Sequence, residues 1–374
     1  MNHTFTSVGV VVALTVASAA LPKDTDSDDT GAVFVMTNAV NNNEILTYSR
    51  AANGLLRQGP SFETGGRGSG GLVDPLESQG SLVLSQDHSF LFAVNAGSGT
   101  ISVFRVTRSR LSLVDVVPSG GSEPNAITQQ GNLLYVLNTG GSSGLQGFRL
   151  HEDGRLTPIA HSVRFLSTNT SGASSLSFSP DGRFLVVTER LTNNIDVFKV
   201  RQEGTLSQIV VNSDPSPGTF AMAFEPNGAA LVVETGPVGA SNGSTISSFA
   251  VQEDGTLFSI TSGIPTLGAA TCWNAVTPDG RFVYTNNAGS STISGFAISG
   301  GTLTPLPNAV QATNPNGTVN LDMAISSDGK FLYSLNDGIG AIGIFAINMD
   351  GSLSNLGSIG GVLANAGFNG IAAF

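Results

Sequence analysis

Cysteine occurs once in this 374-residue chain, at Cys272, which excludes an intrachain disulfide. Histidine is nearly as scarce, with His3, His88, His151 and His161 the only four. His88 and His151 stand in or beside predicted turns and His161 ends a predicted outer strand, so neither a Ser-His-Asp triad nor a His-ligated zinc site is expected. Basic residues are outnumbered, 16 Lys and Arg against 27 Asp and Glu, for a formal net charge of −11 with no Lys/Arg cluster anywhere. Without a basic patch, no nucleic-acid partner and no anionic membrane partner is expected. Long apolar runs are missing too: the run Val8 to Ala20 is shorter than the ~20 residues that span a bilayer.

That run ends in Ala17-Ser18-Ala19, a small-x-small cleavage pattern. Residues 1–19 therefore read as a signal peptide, and the chain as secreted or extracellular. Residues 20–30 read as an acidic linker, leaving 31–374 for one domain. Three Asn-x-Ser/Thr sequons follow, at Asn169, Asn242 and Asn316, each a candidate N-glycan site in a secreted chain.

What the chain has in abundance is glycine, 47 residues, with 16 proline and many Val, Ile, Thr, Ser and Phe. That composition predicts short strands and many turns. One phrase recurs: Leu91-Phe92-Ala93-Val94-Asn95, Leu134-Tyr135-Val136-Leu137-Asn138, Leu185-Val186-Val187-Thr188-Glu189, Leu231-Val232-Val233-Glu234, Val283-Tyr284-Thr285-Asn286 and Leu332-Tyr333-Ser334-Leu335-Asn336, with Val33 to Asn38 as a first copy. Its period of about 50 residues is that of a four-stranded propeller blade. Tight turns such as Pro180-Asp181-Gly182 and Pro278-Asp279-Gly280 precede the phrase. The first unit lacks its innermost strand, and Phe368-Asn369-Gly370-Ile371-Ala372 resembles the inner strands of the others. The fold class is therefore all-β: a seven-bladed β-propeller of four antiparallel strands per blade, closed by the C-terminal strand joining the first blade. Two segments depart from the unit, the Gly-rich stretch 59–75 and the loop 236–244, and both read as flexible connections or lids.

Antiparallel connectivity sends the Pro-Asp-Gly turns to one mouth of the central channel and the ends of the second strands to the other. The second-strand ends are Asn38, Asn95, Asn138, Glu189, Glu234, Asn286 and Asn336, five Asn and two Glu in adjacent blades. An Asn there caps the strand through its own backbone bonds or orients ligand oxygens; an ionised Glu cannot donate to a carbonyl and asks for another reason. Glu189 with Arg190 is the candidate catalytic pair, a base beside an ion-pair partner or anion hook. Inner-strand starts add Gln79, Asn125, Trp273 and Asp322 as binding candidates, Trp273 either as a stacking platform or as channel-wall packing. Cys272 reads as an inert buried thiol.

Gly65-Gly66-Arg67-Gly68, Ser78-Gln79-Gly80-Ser81-Leu82-Val83-Leu84, Leu91 to Gly97, Leu185 to Arg190 with Thr192-Asn193, Cys272-Trp273 and Leu321-Asp322-Met323-Ala324 resemble the lactonase-type seven-bladed propeller family, which includes 6-phosphogluconolactonase and the carboxymuconate lactonising enzyme (3-carboxymuconate cyclase). The resemblance runs over residues 31–374 and is specific for fold and family more than for reaction. It implies a His, a Glu and Arg residues in the central cleft of muconate-lactonising members. Glu189 matches the Glu, Asn125 takes the place of the His, and Ala173 and Ser174 stand where an Arg is wanted. A phosphosugar substrate is disfavoured, because Arg67 and Arg190 are the few cations near the mouth.

The expectation is a lactonase-like propeller acting on a small lactone, cyclic ester or related carboxylate, with Glu189 activating water and Asn125, Asn138, Asn286 and Asn336 orienting oxygens. The alternative is a non-catalytic extracellular propeller binding a small ligand or glycan in the same pocket. No cofactor and no metal are expected, although a calcium-type site of Asn, Asp and Glu oxygens stays open; the chain is expected to be a monomer.

Overall fold

The computed structural model describes residues 29–237 and 240–374. The expected signal peptide, residues 1–19, and most of the expected linker, residues 20–30, lie outside these residues. Seven antiparallel sheets form a ring, and the innermost strand of each neighbours that of the next blade. Blade 1 is built from both ends of the ring: Ile371–Ala373 is its inner strand, followed outward by Asp29–Met36, Glu44–Ala51 and Leu56–Glu63. Val33, Phe34 and Val35 pair with Ala373, Ala372 and Ile371, so the expected C-terminal closure is present. The first strand begins at Asp29, two residues before Gly31. Blade 3 carries an extra piece, its outer edge being split into Leu156–Pro158 and Arg164–Phe165. The one 3-10 turn among the described residues is Asp337–Ile339.

Each second strand lies between two others and between two blades, so its side chains are buried on both faces. That is why Phe90–Asn95, Phe184–Glu189 and Phe331–Asn336 are buried at every position and read as continuous apolar runs. Fully buried Phe34, Phe92, Tyr135, Tyr284 and Tyr333 each contribute about 1.5–3 kcal/mol by burial. The tyrosines also staple blades together. Tyr135, Tyr284 and Tyr333 donate from Oη to the carbonyls of Gly204, Gly351 and Gly54, at 2.7, 2.6 and 3.0 Å, each in the outer turn of the next blade. Those turns take positive φ at the glycine (83° at Gly54, 85° at Gly351), a conformation open to Gly without steric cost.

Candidate functional site

The second strands do end on one polar ring, but the ring works as a set of latches. Asn95 donates to Thr100 Oγ1 and Ser102 Oγ at 3.1 and 2.8 Å and accepts from Thr64 Oγ1 at 2.7 Å, tying the strand end to the segment arriving from blade 1. Asn138 Nδ2 bonds the Ser119 carbonyl at 3.2 Å in the same way. Asn336 accepts from Ser334 Oγ at 3.0 Å. In blade 6 the latch is Asn287, which bonds Thr292 and Ser294 at 2.9 and 2.8 Å. The expected Asn286 is one residue out of register, and a one-residue slip turns a side chain to the other face. It points instead into the blade 6–7 interface, bonding the Asp322 carbonyl and Ser334 Oγ at 3.3 and 3.0 Å. Asn38 is out of register too and pins the linker through Ser69 N–H at 3.0 Å.

Glu189 occupies the latch position of blade 4 and is wholly buried rather than facing the channel. Its carboxylate accepts from Ser167 N–H at 3.0 Å, Asn194 Nδ2 at 3.4 Å and the hydroxyls of Ser167 and Thr192. Burial pushes Glu189 up, yet hydrogen bonds from Asp196, Ser167 and Thr192 outweigh this and hold it below its ordinary value. Asp196 goes the other way, to about 9, through burial and the adjoining Glu189. The two shifts run in opposite directions, as burial and mutual charge dictate for neighbouring acids. Glu234 accepts from Thr245 Oγ1 at 2.6 Å and is raised to about 8, by burial first and then by Asp214.

The inner-strand candidates converge on a single strap. Residues 74–80, at the end of the linker expected to be flexible, cross the bore of the ring. Ser78 Oγ donates to the Asn125 carbonyl at 2.7 Å, and Asn125 Nδ2 donates to the carbonyls of Leu76 and Ala173 at 3.4 and 2.9 Å. Gln79 bonds Ser174 through its backbone at 2.8 Å, and its side chain meets Asn274 N–H at 2.9 Å and the Met222 carbonyl at 3.4 Å. Trp273 Nε1 donates to the Ser78 carbonyl at 3.0 Å, and its ring packs edge-on against Phe220, 5.5 Å between centroids. Fully buried, Trp273 is packing and strap anchor, not a ligand platform. Below the strap a blind cavity of about 430 Å³, floored by Gln79 and walled by Val83, Ser177 and Phe224, opens towards the Pro-Asp-Gly turns.

Above the strap lies the second mouth, where charge collects. Asp74 and Glu77 come from the strap, Arg190 from blade 4, Asp322 from blade 7 and Asn369 from the closing segment. Asn369 Nδ2 donates to Asp74 at 2.9 Å, and Arg190 ion-pairs with Glu77. Asp74 and Glu77 both hold positive φ, 41° and 44°, which is uncommon outside glycine and accumulates at functional sites. Burial raises the Asp74 carboxyl to about 8; Asn369 opposes this, while Glu77 and Asp322 add to it. Asp322 is raised to about 7 by burial against bonds from Met323 N–H at 2.8 Å and Ile371 N–H at 3.3 Å. Arg190 Nε is buried without a partner. Of the expected site residues, Arg190, Asp322 and Gln79 thus meet at or beneath this mouth, while Asn138, Glu189, Glu234, Asn286 and Asn336 lie between blades. Asp74, Glu77 and Asn369 were not among the candidates; their one signal was a charged stretch, Asp74-Pro75-Leu76-Glu77, closing a Gly-rich linker.

Cys272 is buried beside this cluster, its thiol pushed well up by burial. Among the described residues no group of three or more His, Cys, Asp or Glu is placed to hold a metal ion. Asn169, Asn242 and Asn316 are all exposed, in loops on the side of the carboxylate mouth.

The closed ring of seven four-stranded antiparallel sheets defines a seven-bladed β-propeller. The profile of the family "Lactonase, 7-bladed beta-propeller" matches residues 27–168, 142–274 and 242–360, and the chain belongs to this family, with the lactonase-like function it carries. Comparison with curated proteins gave no match. Among solved structures, a protein of Bacteroides uniformis provisionally assigned as a 6-phosphogluconolactonase superposes with a TM-score of 0.70 at 21% identity, over 93% of this chain and 100% of that one. The periplasmic gluconolactonase of Pseudomonas aeruginosa gives 0.68 at 19% identity, over 91% and 98%. At such identities these neighbours share the fold.

Proposed function

We propose that the chain hydrolyses a small lactone at the carboxylate mouth, outside the cytoplasm, with Asp74 as general base. The observation that carries this reading is Asp74 itself: part-exposed, on left-handed backbone, raised to about 8, with Arg190 close enough to act on its charge. A base with that value is matched to proton transfer near neutral pH. Asp74 takes a proton from water as the water oxygen bonds to the lactone carbonyl carbon. Arg190, whose guanidinium is part-exposed at the mouth, stabilises the oxyanion. The ring C–O bond then breaks, and the proton passes from Asp74 to the leaving alkoxide, giving the hydroxy acid.

A panel of aliphatic lactones and aldonolactones, assayed with wild type, Asp74→Asn and Glu189→Gln, tests this. Asp74→Asn should lower kcat/KM by about 10²–10⁴-fold. Glu189→Gln should act mainly on stability. Because the base must be ionised, wild-type kcat/KM should rise with pH through the range 7–8 set by Asp322 and Asp74, and that limb should shift in Asp74→Asn. Turnover unchanged in Asp74→Asn overturns the assignment, and no turnover on any lactone favours a binding propeller.

A further inference from the structure

On the opposite face, the foot of blade 5 breaks the repeat. In four blades a guanidinium lies over a Phe ring at this level: Arg105 over Phe90 at 4.8 Å, Arg183 over Phe184 at 5.4 Å, Arg281 over Phe282 at 4.8 Å and Arg50 over Phe331 at 5.6 Å. Each of these Phe residues opens a second strand. The turn before it starts from Ser85, Ser179, Thr277 or Ser326, whose hydroxyl donates to the turn Asp at 2.6 Å. In blade 5 this turn is one residue shorter: Glu225 N–H reaches the carbonyl of Ala229, where Ser179 N–H reaches that of Phe184 one residue further on. The residue lost is the one that is Arg183 in blade 4 and Arg281 in blade 6. Ala229 replaces the Phe, and Glu225 replaces the hydroxyl.

These changes leave a cavity of about 460 Å³, walled by Phe184, Ala229, Val251 and Ile260, with Glu225 in its lining and Asp181 and Glu253 at its rim. Glu225 is 2% exposed. Burial raises its carboxyl, with the Ala229 backbone opposing that rise. The nearby cation, Arg183, is engaged by Glu253 and by Asp181 at 3.8 Å, so among the described residues Glu225 has no ion-pair partner. A buried carboxylate with an apolar wall on one side favours a cation with an apolar body; Arg183, over the Phe184 ring, lines the other side of the cavity.

We propose that this cavity binds a small organic cation, an amidinium, guanidinium or ammonium on an apolar or aromatic body, which fills the place that Arg and Phe occupy in blades 2, 4, 6 and 7, with Glu225 as its counter-charge. The site is independent of the lactone chemistry at the far mouth.

Calorimetric titration of the full chain with benzamidine, and with neutral benzamide as its isostere, tests it. Benzamidine should bind saturably to wild type, at least about ten-fold more weakly to Glu225→Gln, and benzamide at least about ten-fold more weakly to wild type. Ala229→Phe, which rebuilds the repeat's own filling, should abolish binding; should that variant misfold, the Glu225→Gln and benzamide comparisons decide alone. No saturable binding of benzamidine, or equal affinities for Glu225→Gln and for benzamide, overturns the site.

Discussion

At the scale of single residues, the two Glu of the latch ring are each answered by an Asp, Glu189 by Asp196 and Glu234 by Asp214. In blades 2 and 6 the residue matching Asp196 is a serine, Ser102 or Ser294, which closes the latch without charge. Asp196 has neither oxygen satisfied by a donor. With its folded value raised to about 9 against about 3.9 unfolded, Asp196 keeps its proton in the folded chain long after the unfolded chain has released it. Its contribution to stability is therefore intact below about pH 4 and falls away as pH rises towards 9. Asp196→Ser should stabilise the protein at pH 8 by about 1–3 kcal/mol and flatten the dependence of Tm on pH between 5 and 9. Thermal melts across that range check it; a variant that melts lower at pH 8 contradicts a cost from burying Asp196 beside Glu189.

At the scale of elements, the strap is hydrogen-bonded to four blades, and Trp273 is the donor whose loss can be isolated. Trp273→Phe keeps most of the buried ring but strips the Ser78 carbonyl of its partner, at a cost of about 1–3 kcal/mol. A lower Tm should come with new protease cleavage between Leu72 and Gly80; unchanged cleavage argues that the strap stands without this anchor. The strap also marks where sequence reading stopped. Blades were legible because seven copies of one phrase correct each other, and the Pro-Asp-Gly turns fix which mouth is which. The strap occurs once, so no second copy could reveal that a Gly-rich linker ends in a buried, hydrogen-bonded crossing carrying two carboxylates. Register failed for a related reason: Asn286-Asn287 is a doublet, and spacing alone does not say which Asn faces the latch. Arg190, Gln79 and Asp322 were legible because they flank repeat positions that face the bore.

At the scale of the whole molecule, closure depends on three paired residues and on Phe368, Ile371 and Ala372 buried against blade 1 and its neighbours. Deleting residues 367–374 removes that burial, which by area is worth more than about 3 kcal/mol. It also removes Asn369 from the mouth, so stability and lactone turnover should fall together. A truncated protein with an unchanged Tm argues that the ring holds without its last strand.

Closure of the rim is not the whole of the ring's mechanics, because the strap ties blade 2 across the bore to blades 3, 4, 5 and 6. Seen this way the molecule is a wheel with a hub: a gap at blade 1 leaves five of seven sectors bound to a common centre. The hub also supplies two of the mouth's carboxylates, Asp74 and Glu77, which bond Asn369 and Arg190 there. Asp74 therefore sits on a segment held by four blades, and the closing segment reaches it through Asn369.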